Sequence, residues 1–126
     1  MVFICVLAVI IAFLHFSALR FYLYWSIWWF DILLHFLAGA WVSAIALWCA
    51  FYANLQIGKR HPVWFTIIGT LFVGILWEIY EYIFGMTMVT HESYVFDTAL
   101  DLGMDFFGCL AVLPLFIPQL RNSKSV

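Results

Sequence analysis

The sequence predicts an all-α fold: a polytopic bundle of four transmembrane helices that forms a single domain over residues 1–126. Three observations predict it. The chain is 67% hydrophobic and only 10% charged, whereas soluble domains carry about half apolar and about a quarter charged residues. Apolar runs of the length needed to cross a bilayer, about 20 residues each, occur four times. Short polar stretches carrying Pro, Gly, Asn or charge separate the later runs. Four spans use roughly 80 positions, which leaves no room for a separate extramembrane domain. The function must therefore sit in the bundle.

The first span covers about 2–19 and ends at Arg20. It lacks a basic segment ahead of the apolar run and has only a weak small-residue pattern near Ser17 and Ala18, so it reads as a retained helix and not a cleaved signal. The second covers about 28–52 and gives way to the polar, basic run Asn54 to Pro62, a loop signal. The third, about 63–84, stops at Gly85. The stretch from Gly85 to Phe96 holds Thr87, Thr90, His91, Glu92 and Ser93 and reads as a second loop. The fourth covers about 97–118 and is closed by Pro114 and Pro118.

Four of the five Lys and Arg residues, Lys59, Arg60, Arg121 and Lys124, fall in the 54–62 segment and the C-terminal tail. By the positive-inside rule that side is cytoplasmic, which places both termini inside and the bundle in the plasma (inner) membrane. The aromatic run Phe21 to Phe30 then suits the outer interface, where amphipathic rings sit at headgroup level. The net charge is −2 and no basic patch exists, which excludes a nucleic-acid partner. Cys5, Cys49 and Cys109 lie in apolar segments without CxxC spacing and read as small packing residues.

The seven acids, Asp31, Glu78, Glu81, Glu92, Asp97, Asp101 and Asp105, all fall toward the outer helix ends or in the outer loop. Asp31 and His35 are spaced i,i+4 and share a face; Glu78 and Glu81 do so at i,i+3. Asp97, Asp101 and Asp105 form a stripe that descends the fourth span by roughly 12 Å at about 1.5 Å per residue. Ionisable groups in a span cost about 2.5–3.5 kcal/mol each at its centre and mark functional sites. So many carboxylates cannot all stay ionised together without cations or shared protons.

Carboxylates with one imidazole form a donor set for Mg²⁺, Mn²⁺, Ca²⁺ or Zn²⁺. The expected metal ligands are His35, Glu78, Asp97, Asp101 and Asp105, with Glu81 or Asp31 as general base. One turn from each acidic group lies a small residue, Gly39, Gly74 or Gly108, which lets helices approach closely. Ser43 and Thr70 continue those faces inward. The plainer alternative for the acids is a hydrogen-bonded staple with Trp77, Tyr80 and Tyr82. His15 reads as a packing histidine and Arg20 as a charge able to neutralise an acid or hold an anionic headgroup, while His91 and Glu92 are either a lid or solvated loop residues.

Asp31-x3-His35-x3-Gly39, Glu78-x2-Glu81-Tyr82 and Asp97-x3-Asp101-x3-Asp105-x2-Gly108 together resemble the VanZ-like and YjdF-like small bacterial inner-membrane proteins. The resemblance covers about 28–113, with Ile32 standing where a Lys commonly follows the first Asp. It implies a helical bundle with an envelope role. The expected function is a divalent-metal site acting on a lipid or lipid-linked envelope substrate, as a hydrolase or transferase. The alternatives are cation or proton translocation by a homo-oligomer and an accessory subunit of a larger membrane complex. Membrane lipids are the expected partners.

Overall fold

The computed structural model describes residues 1–53, 55–85 and 91–122. Every element among them is helical: α1 Val2–Phe21, α2 Leu23–Ser26, α3 Phe30–Phe51, α4 Gln56–Arg60, α5 Pro62–Phe84 and α6 His91–Val112, followed by a 3₁₀ turn, Leu113–Phe116, and α7 Ile117–Asn122. Four helical stretches are long and apolar enough to cross a membrane: α1, α3, α5 and the run Tyr94–Gln119.

Sterically simple signals set the helix ends. Pro62 opens α5, where its missing N–H forfeits no helical bond. Gly85, at φ 63°, closes α5 by donating its N–H to Glu81 O and Tyr82 O. α1 runs past Arg20 and is closed by Tyr22, which adopts the left-handed conformation at φ 56° without being glycine. Its carbonyl accepts from Ser26 Oγ at 2.9 Å, which binds the next turn into α2.

Three sequence expectations need correction. The segment 54–62 is not simply a loop: it contains α4, and Gly58 is buried, with Ala50 Cβ only 2.8 Å from where a Gly58 Cβ would stand. His91 and Glu92 lie in the first turn of α6, not in a loop, because 91–96 contains no Gly or Pro and a helix continues past its apolar stretch. At the other end, Pro114 lacks the donor that α6 would need, and the α-helix yields to the 3₁₀ turn at Leu113.

The bundle is apolar outward and polar inward. The buried stripe of α5 is Pro62, Thr66, Thr70, Gly74, Glu78 and Glu81, while Ile68, Phe72, Ile79 and Ile83 point out. Such a surface is untenable in water and natural in lipid. α3 is the central helix, packing against α6, α5 and α1. α1 is peripheral and buries only Leu7 and Ala18. Leu7 packs with Ala40, Ala44, Leu47 and Val112 at one end of the bundle, and Ala18 packs with Phe30 and Leu34 at the other. Consecutive spans therefore run antiparallel, and the start of α3, the end of α5 and the first half of α6 meet at the Ala18 end.

Candidate functional site

Three helices bring six ionisable side chains together at that end: Asp31 and His35 from α3, Glu78 and Glu81 from α5, and Asp101 and Asp105 from α6. His35 is the hub. Its Nδ1 lies 3.4 Å from Asp105 Oδ2, and its Nε2 lies 3.7 Å from Glu78 Oε1 and 3.9 Å from Asp31 Oδ1. His35, Glu78 and Asp101 are respectively 4%, 4% and 2% exposed, so they lie beyond the reach of bulk solvent. Potential ligand atoms of His35, Glu78 and Asp101 all fall within 4.8 Å of one another, as do those of Asp31, His35 and Glu81. Of the other expected ligands, Asp97 is half-buried and Asp105 is buried, and neither belongs to either group.

Hydrogen bonds fix part of this cluster and leave part open. Thr98 Oγ1 donates to Glu78 Oε2 at 2.7 Å, and Trp77 Nε1 donates to Glu81 Oε1 at 2.8 Å. By contrast His35 Nε2, Glu78 Oε1 and Asp101 Oδ1 are buried without a hydrogen-bond partner. An unmet buried polar atom costs on the order of 1–3 kcal/mol, and three converge here from three helices. Among the described residues no Lys or Arg pairs with the acids. Arg20 is exposed, its guanidinium 5.9 Å from the Phe21 ring centroid, so of its two expected roles the structure does not bear out neutralisation of an acid and leaves the anionic headgroup.

Glycines make the cluster sterically possible. A Cβ on Gly39 would collide with the Asp105 backbone, whose Cα would lie 2.6 Å away. One on Gly108 would collide with Phe36 O and would stand 2.8 Å from Ala40 N. α3 and α6 thus touch backbone to backbone. A Cβ on Gly74 would strike the Asp105 carboxylate itself. Asp105 is therefore held between Gly39 and Gly74, and its carboxylate reaches the imidazole through space that any side chain would fill. One turn further in, Ser43, Thr70 and Cys109 are buried as neighbours, with Ser43 Oγ donating to Ala40 O.

On the α1 side, His15 Nδ1 lies 2.6 Å from the Tyr24 hydroxyl, and the His15 ring meets Trp77 edge to face at 5.8 Å. Tyr24, outside the spans, has its pKa raised by burial and then by the nearby Asp31 and Glu81, which keeps its hydroxyl protonated beside His15. The sequence alone predicts only an aromatic belt at the outer interface for Tyr24 and no role for Thr98. Thr98 was discoverable, since it lies three residues before Asp101 on the same helical face. The Tyr24 contact depends on the turn at Tyr22, which has no glycine to announce it.

An antiparallel membrane bundle with an acid–histidine cluster buried between three of its spans is thus the class of protein that fold and site define. The chain belongs to the DUF2238 family, described as predicted membrane proteins, whose family model matches residues 2–122. That match supports membership of a membrane protein family and not the finer VanZ-like or YjdF-like naming. Comparison with curated proteins and with solved structures gives no match.

Proposed function

We propose that the protein binds a divalent cation between His35, Glu78 and Asp101 and uses it on a lipid or lipid-linked envelope substrate. One observation carries the reading: the three unpartnered buried atoms, His35 Nε2, Glu78 Oε1 and Asp101 Oδ1, come from residues that form a single potential ligand group. A cation would satisfy all three and offset the surrounding negative charge. Asp105 would then act as the carboxylate that orients the imidazole through Nδ1, a common partner of metal-bound histidine. Asp31, whose side chain is 28% exposed and which is the most open acid of the pairs around His35, and Glu81 remain the general-base candidates. The cation would polarise the scissile group or activate water.

The envelope assignment rests on the motif resemblance to VanZ-like and YjdF-like proteins. A second reading, proton or cation passage by an oligomer, draws on the buried and unpartnered Thr70 Oγ1 beneath the cluster. Elemental analysis of detergent-purified protein separates the two. Wild type is expected to carry a stoichiometric divalent cation, Asp101→Asn none, and Asp97→Asn nearly the wild-type amount. Ligand at about 100 times Kd stabilises by about 2.7 kcal/mol, so re-adding metal to stripped wild type should raise its melting temperature measurably. Wild type that purifies without metal, and gains no stability from Mg²⁺, Mn²⁺, Ca²⁺ or Zn²⁺, sinks the metal reading. Vesicle proton flux then becomes the next measurement.

A further inference from the structure

A cavity of about 180 Å³ lies between α1, α3 and α5, beside the acid–histidine cluster. Ile11, Ala38, Val42 and Val73 line its apolar part, and Asp31, His35 and Asp105 line its polar part. We infer that this cavity takes the hydrocarbon chain of a membrane amphiphile, which enters sideways between α1 and α5 and lays its polar head against the cluster. For the head, this rests on the metal reading above; for the chain it rests on the cavity alone.

Three features support it. α1 lies along α3 and makes little contact with α5, although both line the cavity, so the opening between them faces the bilayer and not water. The fluid available at the depth of Val42 and Val73, well inside their spans, is hydrocarbon. The cavity is also smaller than the roughly 300–1,000 Å³ of sites that enclose a whole drug-sized ligand. It therefore suits part of one chain, with the rest of the molecule left in the membrane. Asp31, His35 and Asp105 gather on the cluster side, and most of the remaining lining is apolar apart from the Thr70 hydroxyl, which suits an amphiphile better than a free ion or a plain hydrocarbon. His15 and Tyr24 also line it, joined by their hydrogen bond across the turn between α1 and α3.

The test uses full-length protein in phosphatidylethanolamine and phosphatidylglycerol vesicles doped with photoactivatable fatty acids. In one probe the diazirine sits near the carboxylate, and in the other near the methyl end. Mass-spectrometric mapping should find the first probe on Leu34 and Trp77 and the second on Ile11, Val42 and Val73. Ala38→Phe, which fills the cavity, should lose both sets of adducts while keeping wild-type thermal stability. Adducts confined to outward residues such as Phe13 and Ile83, or an unchanged map in Ala38→Phe, overturn the inference. So does a crosslink between copies that excludes the probe, since a protein segment would then fill the cavity. Should Ala38→Phe misfold, the wild-type map alone decides. Elemental analysis of the same preparation separates the two claims: cavity labelling by the methyl-end probe in protein that purifies without metal keeps this inference and removes the metal reading, and bound metal without cavity labelling does the reverse.

Discussion

Gly39→Ala should lower stability and open the site together, because the added methyl meets backbone and not a movable side chain. Its Cβ would stand 2.6 Å from Asp105 Cα and 2.7 Å from Asp105 C, where ordinary contacts lie at 3.4–4 Å. α3 and α6 must therefore part by about 0.8 Å at least, the difference between 3.4 and 2.6 Å. Overpacking of this kind costs about 1–3 kcal/mol. The same movement would lengthen the His35 Nδ1 to Asp105 Oδ2 contact, already 3.4 Å, beyond hydrogen-bonding range. Gly69→Ala is the matched control: a Cβ there meets nothing within 4 Å, and replacing a helical glycine by alanine gains up to about 1 kcal/mol. Thermal unfolding in detergent should place Gly39→Ala below wild type by several degrees and Gly69→Ala at or above it. If Gly39→Ala melts with Gly69→Ala, the backbone contact of α3 with α6 is refuted. Gly58 is no neutral reference, since its own Cβ would meet Ala50.

Alkaline phosphatase fused after Val126 should be inactive and a green fluorescent fusion bright, since four of five basic residues share that side; the opposite pattern would move the cluster to the inner leaflet. Asp105→Asn should weaken metal affinity by about 10–100-fold without abolishing it, as expected of a group that orients a ligand. A complete loss in isothermal titration would make Asp105 a direct ligand. Because the ligands must be deprotonated to bind, affinity should fall as the pH is lowered, and titrations repeated at decreasing pH check this.

Four spans, their antiparallel order and the polar inner faces were legible in the sequence because a bilayer imposes one strong rule, apolar outward and satisfied inward. The i,i+4 spacing of Asp31 and His35, and the matched positions of Gly39, Gly74 and Gly108, fixed which faces meet. The i,i+4 stripe of Asp97, Asp101 and Asp105 was right about the shared face and silent about depth. The contacts of Gly39 with the Asp105 backbone and of Gly108 with Phe36 and Ala40 set the depth at which α6 crosses α3, and that crossing leaves Asp97 outside both ligand groups. The start of α6 at His91 was hidden because polar residues signal an end of the membrane and not an end of the helix. The burial of Gly58 was hidden because α4 is held by tertiary contact with α3, which no local pattern records.

Hydrophobic attraction does not hold such a bundle together, since lipid tails are as apolar as its outward side chains. Close glycine contacts and polar pairs must do so, and the acid–histidine cluster is an expensive way to supply them. Thr98 on Glu78 and Trp77 on Glu81 would make an adequate staple by themselves. A staple does not require Asp101, whose Oδ1 has no partner, nor does it explain why His35 Nε2 and Glu78 Oε1 are left open beside it. Isolated polar groups left unsatisfied in a span cost stability without return. Those three atoms are thus the part of the cluster that packing does not account for, and the fold holds them on three separate helices at the place where a bound cation would join all three.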